Sequence, residues 1–145
     1  MGYTHYWMQH GDIDQELVWP TICQDVRKIL LVSPVPLAKT LNANSLPLID
    51  DNEIVFNGKS DKEGAEDFVF QRTPKINFTF CKTMYQPYDP VVCAVLSVIV
   101  FHAPLTVAVQ SDGTAEAWQP VIEWASEVLG VAIRNPMLTP GAIPP

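Results

Sequence analysis

Between Asp89-Pro90 and His102 the chain carries an apolar run, Val91 to Phe101, in which Ser97 is the only polar residue. A helix that is apolar on every side must be buried on every side, in a protein core or in a bilayer. Pro90 suits the first helical position, where a missing N–H costs no bond. Asp89 suits the N-cap, where a carboxylate accepts from free backbone N–H groups. A membrane span needs roughly 20 continuous apolar residues, and His102 and Pro104 interrupt this run. The expectation is therefore a central helix packed against a sheet.

The segments on either side of this helix read as strands. Ile76, Phe78 and Phe80 alternate with Asn77, Thr79 and Cys81, a period of two rich in aromatic residues. That pattern predicts a strand with one buried face, and it puts Cys81 on the face opposite the phenylalanines. Lys82-Thr83 ends the strand, and Pro87 prevents further regular pairing. After the helix, Leu105 to Gln110 alternates again and stops at Ser111-Asp112-Gly113. If the helix is a crossover between neighbouring parallel strands, Cys81-Lys82-Thr83, Tyr88-Asp89 and Ser111-Asp112 share one sheet edge. The crevice outside the carboxyl ends of strands is where open α/β sheets bind ligands.

The remaining elements follow in order. Gly2 to Trp7 predicts a strand with Tyr3, His5 and Trp7 on one face and Thr4 and Tyr6 on the other. Pro20 to about Val32 has helical spacing of Ile22, Val26, Ile29 and Leu30, with Asp25, Arg27 and Lys28 on a solvated face. Leu37 to Ser45 is ambiguous between a turn of helix and a loop. Leu46 to Ile49 reads as an edge strand, and Glu53 to Phe56 as a strand ending in a tight Asn57-Gly58 turn. Lys59 to Glu66 reads as a charged, mobile loop, and Phe68 to Phe70 as the next strand of an antiparallel meander. Pro120 to Leu129 predicts a last helix stopped by Gly130. The fold class expected is α/β (α+β): a mixed, largely antiparallel sheet with a buried central helix and two further amphipathic helices. Residues 1–134 form a single domain, and 135–145 a proline-rich tail.

With 145 residues the chain is long enough for one sizeable core. A net charge of −7 predicts a soluble chain and argues against direct nucleic-acid contact and anionic membranes. Three cysteines without a CxxC pair fit a reducing cytoplasm rather than a disulfide or zinc scaffold. Met1 to Gly11 lacks the charged start and apolar run of a secretory signal.

Several side chains have the right types for binding. Tyr6, Trp7 and Tyr88 could stack on a ring, His5 could add a polar contact, and Lys82, Thr83 and Ser111 could hold phosphate or ribose hydroxyls. Asp89 and Asp112 stand at the same predicted edge. Cys81 has the chemistry of a nucleophile, with Lys82 or a helix start lowering its pKa and His5 or His102 as base, but no cysteine-hydrolase signature surrounds it. His5 and His10 lack the companion ligands of a metal site, and no glycine-rich phosphate loop occurs. Neither a metal nor a cofactor is expected.

Gly2 to Trp7, Phe80-Cys81-Lys82-Thr83, Pro87-Tyr88-Asp89 and Ser111-Asp112-Gly113 together resemble a family of small hypothetical proteins of bacteriophages and prokaryotes. The resemblance spans most of the chain up to the proline-rich tail and carries over no catalytic role. It implies a phage or prophage origin, the cytoplasm of a host cell, and a role in counter-defence. The leading expectation is a homo-oligomeric protein that captures a small, nucleotide-derived signal. The alternatives are an acidic inhibitor of a host defence complex and a small hydrolase using Cys81 or Asp112.

Overall fold

The computed structural model describes residues 2–138. In chain order the elements are β1 (Thr4–Gln9), α1 (Val18–Leu31), β2 (Leu37–Ala38), β3 (Leu48–Ile49), β4 (Glu53–Gly58), β5 (Phe68–Gln71), β6 (Phe78–Lys82), α2 (Asp89–His102), β7 (Val107–Ser111) and α3 (Ala115–Leu129). All ladders are antiparallel. One sheet has the order β6-β1-β7; in the other, β4 pairs with β2, β3 and β5. No described helix is long and apolar enough to cross a membrane.

The apolar run is the centre of the molecule. Val91 to Ile99 are all buried, and α2 packs against α1, α3 and β7. Each large aliphatic side chain buried this way stabilises the fold by roughly 1.5–3 kcal/mol. Ser97 is accommodated because its hydroxyl donates to the Cys93 carbonyl at 2.7 Å, the usual way a helical serine is satisfied without a partner outside its helix. At the helix end His102 pairs with Asp25 of α1 at 2.6 Å, so Asp25 is tied to α2 and does not serve a solvated face. Trp7 of β1 reaches across to Phe68 and Phe70 of β5, joining the two sheets in one core.

Three expectations about β6 and its surroundings are corrected. First, β6 and β7 are not neighbours: β1 lies between them and runs opposite to both. The β6–α2–β7 crossover is thus a split one, and both strands still end at the same edge. Second, the aromatic face of β6 is the outer one: Phe78 is 46% and Phe80 52% exposed, whereas Cys81 is fully buried. The space inside β6 at Cys81 is closed by the Glu66 and Asp67 carbonyls and the Tyr88 hydroxyl, all within 3.8 Å of its sulfur. A sulfhydryl fits there and a phenyl ring does not. Third, Asp89 does not cap α2. Tyr88 holds the N-cap position without a side-chain bond, and the Asp89 carboxylate turns towards β1.

The other helices begin earlier than their prolines suggest. Asp14 accepts from the N–H groups of Leu17 and Val18, which starts α1 ahead of Pro20. Thr114 accepts from Ala117 N–H, which starts α3 ahead of Pro120. Gly130, with φ 71°, ends α3 as expected. The segment after β4 is no free loop. The Asn57 side chain bonds Ala65 and Asp67, and Gly64 lies so close that a Cβ there would meet Asn57 Oδ1 at 2.1 Å. β2 resolves the ambiguous Leu37–Ser45 stretch by pairing with the end of β4. Of the expected tail, Asn135 is buried and bonds the Ala115 carbonyl, Met137 packs on the core, and residues 139–145 lie outside the described ones.

Candidate functional site

Register places the site. His5 stands opposite Cys81 on one side and Ser111 on the other, so these three form the inner row of the sheet nearest the shared edge. α2 begins beneath this row. Asp89 Oδ1 lies 2.6 Å from His5 Nε2 and accepts the Thr83 hydroxyl. His5 Nδ1 lies 2.7 Å from Ser111 Oγ. Ser111 Oγ also accepts two N–H groups, from Gly113 at 2.8 Å and from the Trp118 indole at 3.3 Å. A hydroxyl has two acceptor lone pairs and one hydrogen. With both lone pairs taken, the Ser111 hydrogen points at Nδ1, and Nε2 carries the hydrogen donated to Asp89. The result is a directed chain, Ser111 to His5 to Asp89, with Thr83 joining at its end. His5 and Thr83 are fully buried, and no described buried side-chain N or O atom lacks a partner.

Aromatic rings enclose the chain. Tyr3 and Trp118 meet the imidazole edge-on, at 5.1 and 5.2 Å. Burial, reinforced by the charge on Asp89, pushes the Tyr3 hydroxyl up to about 12, so it stays un-ionised. Tyr85 stacks on Tyr3 at 3.6 Å and is itself 69% exposed. The turn that carries it is strained: Met84 (φ 56°) and Tyr85 (φ 60°) are consecutive non-glycine residues in the left-handed region. Each such residue costs on the order of 1–3 kcal/mol, and such strain clusters at functional sites. The Tyr3 carbonyl holds the turn by accepting the N–H groups of Thr83 and Met84.

Among the described residues His5, Asp89 and Cys93 are the group that could bind a metal ion. Cys93 Sγ lies 3.4 Å from His5 Nε2 and 3.8 Å from Asp89 Oδ2. Two donors on one tetrahedral zinc, each at about 2.0 Å, stand about 3.3 Å apart. The 2.6 Å between His5 and Asp89 is instead the separation of a shared hydrogen. Burial first, then the Asp89 charge, hold the Cys93 thiol well above its ordinary pKa. The group as it stands is a hydrogen-bonded one.

The predicted site residues divide into three sets. His5, Thr83, Asp89 and Ser111 come together. Trp7, Tyr88 and Cys81 belong to the core: Trp7 is 2% exposed, the Tyr88 hydroxyl donates to the Glu66 carbonyl at 2.6 Å, and burial pushes the Cys81 thiol up to about 12. A buried thiol of that kind is no nucleophile. Tyr6, Lys82 and Asp112 sit on the opposite, outer face. There Asp112 accepts from Thr4 N–H at 3.0 Å and the Tyr6 hydroxyl at 3.3 Å, bonds that suit an anchor and not a hydrolytic carboxylate. Sequence reasoning missed Tyr3, Tyr85, Trp118 and Cys93. The i, i+4 spacing of Asp89 and Cys93 could have found the cysteine.

A hollow of about 260 Å³ lies elsewhere, where β5 and β6 part. Its lining includes Trp7, Gln9, Val69, Gln71, Lys75 and Ile76. The Gln9 amide there is spent on the Gly11, Gln71 and Arg72 carbonyls. A ligand needs convergent polar groups with bonding capacity left; the strand-end cluster keeps such capacity at Asp89 Oδ2, and the hollow keeps it at the Gln71, Lys75 and Thr79 side chains. Comparison of the chain with protein-family models, with curated proteins and with solved structures finds no match.

Proposed function

We propose that the chain is a small-ligand-binding protein whose site is the edge shared by β6, β1 and β7. The observation that carries this reading is the strained Met84-Tyr85 turn, which stacks an exposed ring on Tyr3, itself edge-on to His5. Tyr85 has one face on Tyr3 and offers the other to a planar ligand. Asp89 Oδ1 is occupied by His5 and Thr83, but Oδ2 has only the long Cys93 contact, on a side chain 16% exposed. That oxygen suits a hydroxyl or amino donor and repels a phosphate. A nucleoside fits this chemistry, with its base on Tyr85 and its sugar hydroxyls on Asp89. Phosphates of a nucleotide-derived signal then point to solvent. The family resemblance makes phage counter-defence the setting for such capture.

Native mass spectrometry and calorimetry with matched nucleosides and nucleotides test this. A nucleoside should bind at least as tightly as its triphosphate. Loss of stacking in Tyr85→Ala, worth about 1–3 kcal/mol, should weaken binding by about 5- to 150-fold. Absence of binding across the panel would remove the proposal.

A second reading, a small hydrolase, is favoured by the Ser111–His5–Asp89 chain. Ser111 Oγ would attack an ester carbonyl, its proton passing to His5 Nδ1 and then to the leaving alkoxide as the C–O bond breaks. Water would release the acyl group by the same route. Fluorophosphonate labelling of Ser111, lost in Ser111→Ala and His5→Gln, would support it; an unlabelled folded chain would eliminate it.

A further inference from the structure

The outer face of the β6-β1-β7 sheet is a grid of three rows by three strands. Register gives Phe80, Tyr6 and Gln110 in the second row and Phe78, Met8 and Ala108 in the third; in the first, Lys82 stands opposite Thr4, and Asp112, one residue past β7, is tied to Thr4 by backbone and carboxylate hydrogen bonds. Phe80 is 52%, Phe78 46% and Met8 40% exposed, and no described helix covers them. Tyr6 stacks on Phe78 at 5.8 Å. A contiguous exposed apolar patch of this kind on a sheet marks an interaction surface. Its pattern is lopsided: β6 contributes two phenyl rings, and β7 contributes a methyl group and an amide.

The charges are lopsided in the same sense. Lys82 closes the first row on one side and Asp112 on the other, and neither belongs to an ion pair among the described residues. Asp112 is held in place by Thr4 N–H and the Tyr6 hydroxyl. We infer that this face is the seat of a second copy of the chain, packed sheet on sheet about a twofold axis parallel to the strands. That operation lays β6 of one copy over β7 of the other, row on row. Lys82 meets Asp112 of the second copy, Phe80 meets Gln110, and Phe78 meets the short Ala108; Tyr6 and Met8 meet their own equivalents. A shallow dent beside Ala108 and Gln110 gives the incoming ring room to settle. The other in-plane twofold, across the strands, would press Lys82 onto Phe78 and leave a desolvated charge unpaired. Sheets packed face to face keep their strands within about 30° of each other, and an isologous contact closes on itself as a dimer.

The size of the face sets the strength. Three strands about 4.8 Å apart and five residues of about 3.4 Å each give a footprint of about 250 Å² per copy. That lies well under the usual stable interface, so the dimer is a concentration-dependent one.

Sedimentation velocity over a wide concentration range tests the inference on the full chain. The wild type should pass from monomer to dimer. Phe78→Glu should weaken the dimer more than tenfold, as should Ala108→Trp, which fills the seat without touching a hydrogen bond. Lys82→Glu and Asp112→Lys should each be monomeric alone, and an equimolar mixture of the two should form a heterodimer, because one ion pair then keeps its native sign and the other is restored with reversed sign. Thermal unfolding confirms that each variant is folded. A wild type that stays monomeric at every concentration would overturn the inference, as would a mixture that does not associate. So would dimerisation only after removal of residues 139–145, which would make that segment the occupant, or single-stranded oligonucleotide binding lost in Phe80→Ala.

Discussion

Asp89→Ala is the substitution whose cost follows most directly from the geometry. It removes the acceptor of two hydrogen bonds, from His5 Nε2–H and the Thr83 hydroxyl, both on fully buried residues. Hydrogen bonds to a charged group each contribute about 1.5–3 kcal/mol, and an orphaned buried donor carries its desolvation penalty in full. Two such bonds give about 3–6 kcal/mol. The Asp89 side chain is 16% exposed, so water can reach the gap and the lower part of the range applies, about 3–4 kcal/mol. Asp89→Asn keeps an oxygen in the same place and loses only the charge, which should cost about 1–2 kcal/mol. For a chain of this length each kcal/mol moves the midpoint by about 2–4 °C. Thermal melts should therefore fall by about 10 °C for the alanine variant and by about 4 °C for asparagine. Urea titrations with an unchanged slope check the same values. An alanine variant within about 1 kcal/mol of wild type, or an asparagine variant as damaged as alanine, would refute the chain of bonds proposed here.

Other predictions follow from groups whose protonation the fold shifts. Burial pushes Cys23 up to about 11, Cys81 up to about 12, and Cys93 well above its usual value. All three should resist alkylation in the folded chain at pH 8 and react once urea unfolds it; rapid native labelling would contradict the packing. Their raised values stabilise the fold below the ordinary thiol pKa of 9.0, and for Cys81 that stability is lost as pH rises through about 12. Asp14 is shifted the other way, held below its usual 3.8 by the N–H groups of Val18 and Leu17. Its contribution is present above pH 3.8 and lost as pH falls through its lowered value. Urea midpoints should thus fall less steeply in acid for Asp14→Asn than for wild type; equal slopes would deny Asp14 its capping role. Met84→Gly removes a left-handed penalty of about 1–2 kcal/mol and adds unfolded-chain freedom worth about 0.5–1. It should leave the fold unchanged or up to about 1.5 kcal/mol more stable, and a clear loss of stability would show that the turn is unstrained.

What the sequence revealed was set by local patterns, and what it hid was set by tertiary choices. The apolar run of α2, the alternation of β1 and the glycine stop of α3 all appear as expected, because burial on all sides, period two and a left-handed cap are properties of short segments. The meeting of Thr83 and Ser111 was also legible, since both follow strands joined through α2. The outward turn of Phe78 and Phe80 was not. Alternation identifies two faces but does not say which one the core takes, and here carbonyls and Tyr88 leave room only for Cys81. Asp89 before Pro90 reads as a cap by every local rule, yet a buried His5 is the more demanding partner. Tyr3, Tyr85 and Trp118 lie far apart in the chain, and only the fold brings their rings around one imidazole.

The central claim is that a ligand sits on Tyr85 above the Asp89–His5–Ser111 chain, and amide chemical-shift mapping during a nucleoside titration tests it most directly. The account predicts saturable shifts concentrated at Thr83, Met84, Tyr85 and Asp89, abolished in Tyr85→Ala. Spectra that do not change up to saturating nucleoside, or shifts confined to Gln71, Lys75 and Ile76 around the hollow between β5 and β6, would contradict it.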